Sequence, residues 1–407
     1  MKKDYFIRWI KLDNRQEAKR AMEQIGSDPG GIAHMMSKPV GRALKIENVP
    51  PHVAQILKQE MLSVGGDAAV HRNVIVNKIE ASDILLVGTE RQLRNLAQKI
   101  LSQPFGLKEL GNNLRAVLQA TEPPKKRVLS CRGKELPLGE RTLIMGILNI
   151  TPDSFSDGGR FDNLEAAIRQ AEQLVEEGAD ILDIGAESTR PSHQSVNAED
   201  EWSRLEPVLK ALLPRVSVPI SIDTYKAEVA EKALAAGAHI INDIWGLQKD
   251  LNMAKVVGKY QAPVIAMHHQ DGTNYRHLVG DILAFLRKSI QLAEAEGLSG
   301  DQIIIDPGVG LSFGKTPEQD LEIVSRLDEF KTLGHPILLG TSRKSMIGNV
   351  INLPVDQRLE GTIATSVIGV AAGVDIIRVH DVQANKRAIQ MADAVYRKMR
   401  GENFIGG

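Results

Sequence analysis

The run Leu143-Ile144-Met145-Gly146-Ile147-Leu148-Asn149-Ile150, closed by Thr151-Pro152-Asp153, sets the reading of the whole chain. It is a short, almost continuous apolar stretch ending in turn residues, the pattern of a strand buried on both faces. A helical pattern over Leu164–Glu177 follows, and then a second apolar run at 179–185. Further runs of the same kind fall near 218–223, 238–244, 262–268, 302–306, 335–341 and 374–380. Helical patterns separate them, among them Glu228–Ala236, Ile282–Ala295 and Glu318–Phe330, and a last helix starts near Ala384. Eight strand-then-helix units in about 270 residues predict an α/β fold, a (β/α)8 (TIM) barrel. A doubly wound parallel sheet is the alternative that the same alternation allows.

The pattern begins after Thr121-Glu122-Pro123-Pro124-Lys125-Lys126-Arg127, where paired prolines and a basic run mark a domain edge. The expected division is a smaller α+β N-terminal domain over 1–124 and the barrel over 125–407. Strand-length apolar runs in the first part are Tyr5–Ile10, Ala43–Ile46, Val74–Lys78 and Ile84–Val87. Val53, Ile56, Leu57, Met61 and Val64 form one helical stripe that stops at Gly65-Gly66, and a second helix is expected from about Glu90 to Leu101. No catalytic constellation occurs in this part. It carries 18 Lys+Arg against 13 Asp+Glu, a net of +5, and the rest of the chain carries −6. Scattered basic residues of this kind read as solvated surface, with an anionic partner as the other reading.

The full chain of 407 residues holds 50 basic and 51 acidic side chains, with 43% hydrophobic and 25% charged residues. These values describe a globular protein with ample core and exclude a disordered chain. The absence of a basic excess speaks against nucleic acid as a partner. No uncharged stretch of about 18 apolar residues is present to span a membrane, and the first residues lack the pattern of a signal peptide. The single cysteine, Cys131, forms no intrachain disulfide and no Cys-rich zinc site. A cytoplasmic location is expected.

Barrel enzymes carry their active sites at the C-terminal ends of the strands. Those ends are Asn149-Ile150-Thr151, Asp183-Ile184-Gly185-Ala186-Glu187, Asp223-Thr224, Asn242-Asp243, Met267-His268-His269, Asp306-Pro307-Gly308, Ser342-Arg343-Lys344-Ser345 and Arg378-Val379-His380-Asp381. The loops after the last two strands are where such barrels bind phosphate. Ser342, Arg343, Lys344, Arg378 and His380 fit an anionic ligand there, and Arg378 and His380, two apart on a strand, share a face. The alternative is a rim of ion pairs with Asp381 and Glu187. Asp223, Asn242, Asp306 and Lys344 form a second set, whose acceptors and donors match a planar heterocycle with N–H groups and a carbonyl. Lys344 is alternatively a Schiff-base lysine. Phe155 stands in a Gly- and Ser-rich loop that either closes over a ligand or forms a static turn. His268 and His269 are strand neighbours facing opposite ways, so they do not chelate one metal, and His268 is expected to line the mouth.

The stretch Gly146–Gly159, with Thr151-Pro152-Asp153-Ser154-Phe155-Ser156-Asp157 at its centre, resembles the signature of the dihydropteroate synthase family. Asp183–Pro191, Ser221-Ile222-Asp223-Thr224, Ile241-Asn242-Asp243, Asp306-Pro307-Gly308, Ser342–Ser345 and Arg378–Asp381 resemble its other motifs, in order, across residues 128–400. The resemblance implies condensation of 6-hydroxymethyl-7,8-dihydropterin pyrophosphate with p-aminobenzoate, with Mg2+ as cofactor, by a homodimer. It implies that Asp223, Asn242, Asp306 and Lys344 hold the pterin, with Met267 against it. Asn149, Arg378 and His380 then engage the pyrophosphate, Asn149 also as the metal ligand. Phe155, Thr189, Arg190, Pro191 and Ser342 form the p-aminobenzoate side. The catalytic set implied is Asn149, Asp223, Lys344, Arg378 and His380.

Three features depart from the family pattern. Ala186 replaces the usual Gly and is expected to stiffen its turn. Leu311-Ser312 lengthens the stretch before Phe313-Gly314-Lys315, so Phe313 is given no role and Lys315 only a place in the pterin loop. Residues 1–124 lie outside the usual core. Two rivals share parts of the pattern. A pterin-dependent methyltransferase serving a corrinoid protein would not need the Ser342–Ser345 and Arg378–His380 groups, and a non-catalytic pterin-binding protein would bind without turnover.

Overall fold

A computed structural model describes residues 7, 8, 10–122, 126–150, 160–187, 196–310 and 314–399. The chain divides into two compact units, one built on the residues up to Pro124 and the other on Lys125–Arg397.

The first unit contains α1 (Arg15–Ile25), α2 (Pro29–Met35), β1 (Gly41–Val49), α3 (Pro51–Ser63), β2 (Asp67–Val70), β3 (Ser82–Thr89), α4 (Glu90–Lys99) and α5 (Leu107–Ala120). Its antiparallel sheet has the order β1-β3-β2. Ile84 and Leu86 on alternate positions of β3 are buried, as are Val53, Leu57 and Met61 of α3, Leu93 and Leu96 of α4, and Leu114 and Leu118 of α5. Period two meets period 3.6 in one core, a two-layer α+β arrangement. Thr89 starts α4 with a capping box closed by Gln92.

Two strands expected from the sequence are not seen among the described residues. Ile7, Arg8 and Ile10, the described residues of the 5–10 run, lie in no strand. Residues 74–78 form tight turns, with Val74 N donating to His71 O and Asn77 N to Val74 O. Of that run Val74 is buried, whereas Ile75 is 81% exposed and Asn77 takes a left-handed φ of 54°. An apolar run flanked by asparagines, with a single side chain to bury, gains more from turns than from a sheet edge.

The second unit starts with an antiparallel hairpin, β4 (Arg127–Cys131) and β5 (Lys134–Leu138). Then come β6 (Leu143–Asn149), α6 (Arg160–Glu176), β7 (Ile181–Gly185), α7 (Ala198–Leu212), β8 (Ile220–Asp223), α8 (Ala227–Ala236), β9 (Ile240–Asp243), α9 (Met253–Tyr260), β10 (Val264–Met267), α10 (Leu278–Ala295) and β11 (Ile303–Asp306). The chain closes with α11 (Pro317–Ser325), β12 (Leu338–Leu339), α12 (Ser345–Ile351), α13 (Leu359–Ala372), β13 (Ile376–Val379) and α14 (Val382–Met399). The eight strands β6–β13 pair in parallel in the order β11-β10-β9-β8-β7-β6-β13-β12, and a parallel bridge from Ile305 to Ile337 joins the two edges. This is the (β/α)8 barrel, and the doubly wound alternative is excluded. Two boundaries differ from expectation. The helix expected over 318–330 stops at Ser325 and continues as a 3-10 helix over Leu327–Leu333, and the seventh strand shrinks to two residues.

Alternation along the strands separates two cores. Leu182, Ile184, Ile222, Ile241, Ile303, Ile305, Leu339, Ile377 and Val379 face the helices. Leu143, Met145, Ile181, Ile240, Ile265, Ile304, Leu338 and Ile376 face inward near the strand starts and pack with Leu129, Cys131, Leu136 and Leu138 of the hairpin. The hairpin is therefore the floor of the barrel. It is tied down by Arg132, whose Nη1 donates to the Leu234 and Ala238 carbonyls, and by Lys134, whose Nζ donates to Val216 O (3.1 Å) and Val218 O (2.9 Å). Ala186 is buried and has no positive φ, so it strains nothing where the family usually has Gly.

Candidate active site

Five of the eight inward-facing strand residues of the floor are followed, two positions on, by a site residue. Ile181 leads to Asp183, Ile240 to Asn242, Ile265 to Met267, Ile304 to Asp306 and Ile376 to Arg378. Successive side chains on a strand alternate in direction, so the same period that builds the floor points these groups into the barrel above it. Asp183 is fully buried, and Asn242, Met267 and Asp306 are nearly so. Asp223 and Asn149 end their strands on either side of Gly185. A Cβ built on Gly185 would lie 3.8 Å from Asp223 Oδ2 and 3.7 Å from Asn149 Oδ1.

Arg378 ties the interior together. Its Nε donates to Asp183 Oδ2 at 2.6 Å and its Nη2 to Asp223 Oδ2 at 2.7 Å. Asn242 Nδ2 donates to the same Asp183 oxygen at 3.1 Å. The sequence assigned Arg378 to an anion and Asp223 to a heterocycle; in the fold the two are hydrogen-bonded partners. Burial pushes Asp223 up to about 7 against the pull of Arg378, with Asp183 adding to the rise. Burial also raises Asp306, opposed by Lys344 and by the Gly308 N–H, which donates to it at 2.7 Å. Lys344 is pushed down to about 8 by burial, with Asp306 opposing, and its Nζ donates to Val309 O. These groups sit where desolvation acts on each, which is the electrostatic mark of a functional site.

Ser342 and His380 form a second pair, Oγ to Nδ1 at 2.9 Å, and His380 N also donates to Ser342 Oγ at 3.2 Å. Burial, followed by the charges of Arg378 and Arg343, pushes His380 down to about 4. Arg343 itself is committed elsewhere. It donates from Nε to Asp381 Oδ2 (3.0 Å) and from Nη2 to Asp381 Oδ1 (2.5 Å), so the rim ion pair holds for this residue. Glu187 pairs with Lys226, not with the basic cluster.

His268 does not line the mouth as expected. It is 2% exposed, and its Nδ1 lies 2.9 Å from Nζ of Lys315, itself fully buried. Burial pushes Lys315 down to about 7, with Asp320 and Asp306 opposing. Gly308 makes this packing possible: its φ is +70°, and a Cβ there would lie 2.0 Å from His268 O. Lys315 thus anchors the loop after β11 from below. Asp183 received no role from the sequence although it heads a quoted motif. The signal that finds it is its position two residues after Ile181, the spacing shared by Asn242, Asp306 and Arg378. Phe155, Thr189, Arg190, Pro191, Leu311, Ser312 and Phe313 lie outside the described residues.

Fold and site define a barrel protein with a buried ring of polar and charged groups at the C-terminal ends of its strands. The model of the pterin binding enzyme family matches residues 145–380, and the chain belongs to that family. A dihydropteroate synthase of Clostridium beijerinckii is 53% identical over 266 residues, which are 65% of this chain and 98% of that protein. A protein of Halobacterium salinarum named as a probable bifunctional folylpolyglutamate synthase/dihydropteroate synthase is 40% identical over 390 residues, 94% of this chain and 46% of its own length. That match takes in most of residues 1–124 as well as the barrel. Among solved structures, a dihydropteroate synthase of Clostridium difficile, determined in the presence of pteroic acid, is 56% identical with a TM-score of 0.63 over 64% of this chain and 98% of its own. The enzyme of Xanthomonas albilineans in complex with 7,8-dihydropteroate is 37% identical, with a TM-score of 0.61 over 66% of this chain and 98% of its own.

Proposed function

We propose that the chain is a dihydropteroate synthase, a transferase that joins 6-hydroxymethyl-7,8-dihydropterin pyrophosphate to p-aminobenzoate and releases pyrophosphate in folate biosynthesis. The carrying observation is the inward ring of Asp223, Asn242, Asp306 and Lys344 above an apolar floor, in a chain this similar to such synthases.

In this reading Asp223 and Asp306 accept from the N–H groups of the pterin, Lys344 donates to its carbonyl side, and Met267 packs on the ring. Water is excluded around these groups, which strengthens each hydrogen bond. Arg378 and His380 receive the pyrophosphate. An anion docked beside His380 offsets the burial that keeps its imidazole neutral, and so favours the protonated, donating form. The bond from the methylene carbon to the pyrophosphate oxygen then breaks, and its electron pair leaves with the pyrophosphate. The electron-rich dihydropterin stabilises the cation, the amine nitrogen of p-aminobenzoate bonds to that carbon, and the nitrogen gives up a proton. Ser342, with Phe155, Thr189, Arg190 and Pro191, makes the p-aminobenzoate side.

The family implies Mg2+, and the donor set fits it. Mg2+ takes few protein oxygens and completes its shell with water and substrate phosphates. Asn149 offers one carboxamide oxygen at the exposed strand end, across Gly185 from Asp223. Asn149 would hold the ion, which when bound adds positive charge beside the leaving group.

Small-molecule substrates, with no nucleic-acid or membrane partner, and a homodimer in the cytoplasm complete the reading. Among the described residues no helix is long and apolar enough to cross a membrane. Sedimentation that finds only monomer would remove the dimer from it.

The test is pyrophosphate release from the dihydropterin substrate with Mg2+, with and without p-aminobenzoate. Release matched one-for-one by dihydropteroate is expected. Pterin binding without either product would favour a binding protein instead.

A further inference from the structure

Asp183 touches three of the groups assigned to the pterin and pyrophosphate, directly or through Arg378, yet neither motif nor resemblance gives it a task. It is completely buried, and one oxygen, Oδ2, accepts from both Arg378 Nε (2.6 Å) and Asn242 Nδ2 (3.1 Å). Its other oxygen, Oδ1, has no hydrogen-bond partner among the described residues, and neither has Oγ of Ser221, its neighbour in register on β8. The grip on Asn242 is therefore made through one oxygen that a guanidinium already fixes in place.

An ionised carboxylate only accepts hydrogen bonds, whereas a carboxamide has a donating end and an accepting end. The end of Asn242 that faces Asp183 is thus required to be the NH2 group. This leaves the carbonyl Oδ1 and the second N–H of Asn242 for the ligand. We infer that Asp183 is a specificity-determining positioning residue: by fixing the orientation of the Asn242 amide, it makes the site present an acceptor where a pterin carries its 2-amino group. The inference rests on the pterin reading above and deepens it.

The consequence concerns discrimination more than rate. With Asn242 Oδ1 held toward the mouth, a 2-amino-4-oxo ring meets an acceptor. A 2,4-dioxo ring of the same shape brings a carbonyl against that acceptor and leaves both unpaired. Sites built on buried hydrogen bonds reject mismatched analogues by large factors, because the orphaned group stays desolvated. Without Asp183 the amide turns freely, its NH2 can face the mouth, and the dioxo ring gains a donor. Arg378 keeps Asp223 as its ionic partner, so no unpaired charge is left behind.

The experiment measures dissociation constants of 6-hydroxymethylpterin and its 2,4-dioxo counterpart, 6-hydroxymethyllumazine, on the full chain. Three proteins are compared: the parent, Asp183→Ala and Asp183→Asn. The parent is expected to prefer the 2-amino compound by about 100-fold or more. Asp183→Ala is expected to lose at least about tenfold of that ratio, mostly through tighter dioxo binding. Asp183→Asn keeps an amide oxygen for both donors and is expected to hold the ratio within about threefold. Should the alanine variant not fold, Asp183→Ser serves, because a hydroxyl does not dictate which amide end faces it. An unchanged ratio in Asp183→Ala or Asp183→Ser would overturn the inference, since a merely structural role weakens both ligands alike. Equal loss in Asp183→Asn would also overturn it, by assigning the effect to charge. A parent that fails to bind the pterin strikes the functional reading itself and is told apart by that failure.

Discussion

Arg94 in the N-terminal unit and Arg378 in the barrel make the same pattern of contacts. Arg94 donates from Nε to Glu90 (2.8 Å) and from Nη2 to Glu122 (2.6 Å), while Arg378 donates from Nε to Asp183 (2.6 Å) and from Nη2 to Asp223 (2.7 Å). Their surroundings differ. The Arg94 side chain is 32% exposed and Glu122 38%, and Arg15 also reaches Glu90, so that cluster stands beside solvent. Arg378 is 18% exposed over a fully buried Asp183, within a ring that also holds Asn242, Lys344 and Asp306. A forked arginine is not a site by virtue of its contacts. What makes one is burial, together with neighbours that still have donors and acceptors to offer a ligand.

Removing each arginine is the sharpest way to break the comparison. Arg378→Ala is expected to lower kcat/KM for pyrophosphate release by about 10²–10³-fold, the scale of losing one preorganised donor. It also strands Asp183 and Asp223, so denaturant titration is expected to show a loss of about 3–5 kcal/mol. Arg94→Ala is expected to cost about 1 kcal/mol or less with activity unchanged. Equal effects of the two on activity would end the distinction drawn here.

Acid acts in opposite directions on the raised carboxyl of Asp223 and the lowered imidazole of His380. Pterin affinity, followed by calorimetry, is expected to fall as pH drops below about 7, where Asp223 gains a proton, approaching tenfold per pH unit. The stability contributions have opposite signs. Asp223 is raised from its ordinary 3.8, so its contribution is present below that value and is lost as pH rises toward 7. His380 is lowered from 6.5 to about 4, so its contribution is present above 6.5 and is lost as pH falls through 4. Asp223→Asn should therefore flatten the affinity profile without removing the histidine-linked loss of stability in acid.

Smaller effects are expected away from the ring. The C. beijerinckii synthase matches the barrel portion over 98% of its own length, so a chain starting at residue 125 is expected to fold and keep activity within about threefold. A larger loss would give the N-terminal unit a part in catalysis. Least of all should follow from Cys131, buried in the floor with its thiol pushed up to about 12. Alkylation at pH 8 should modify it only after denaturation.

The barrel was legible because its strands are short, apolar and followed by polar residues, and because alternation from Ile304 to Asp306 or from Ile376 to Arg378 is a purely local signal. The hairpin was not. Lys134-Glu135-Leu136-Pro137-Leu138 carries charges and a proline, and it becomes a strand through the floor it completes. Asp183 and Lys315 stayed without a settled role for a related reason. Their partners Arg378, Asn242 and His268 lie far along the chain, and burial of a charge is decided by those partners. His268 likewise reads as a mouth residue until the loop at Gly308 is folded over it.

The β4–β5 hairpin has one more consequence. By packing Leu129, Cys131, Leu136 and Leu138 against the strand starts, it closes that end of the barrel and leaves the polar ring to be reached from the strand ends. Everything that enters must leave by the same path, and whatever sits lowest must arrive first and depart last. The polar ring of Asp183, Asn242, Asp306 and Arg378 begins two residues above that floor. In the proposed reaction a pterin held by that ring is expected to enter before the arylamine, and the pyrophosphate to leave before the joined product.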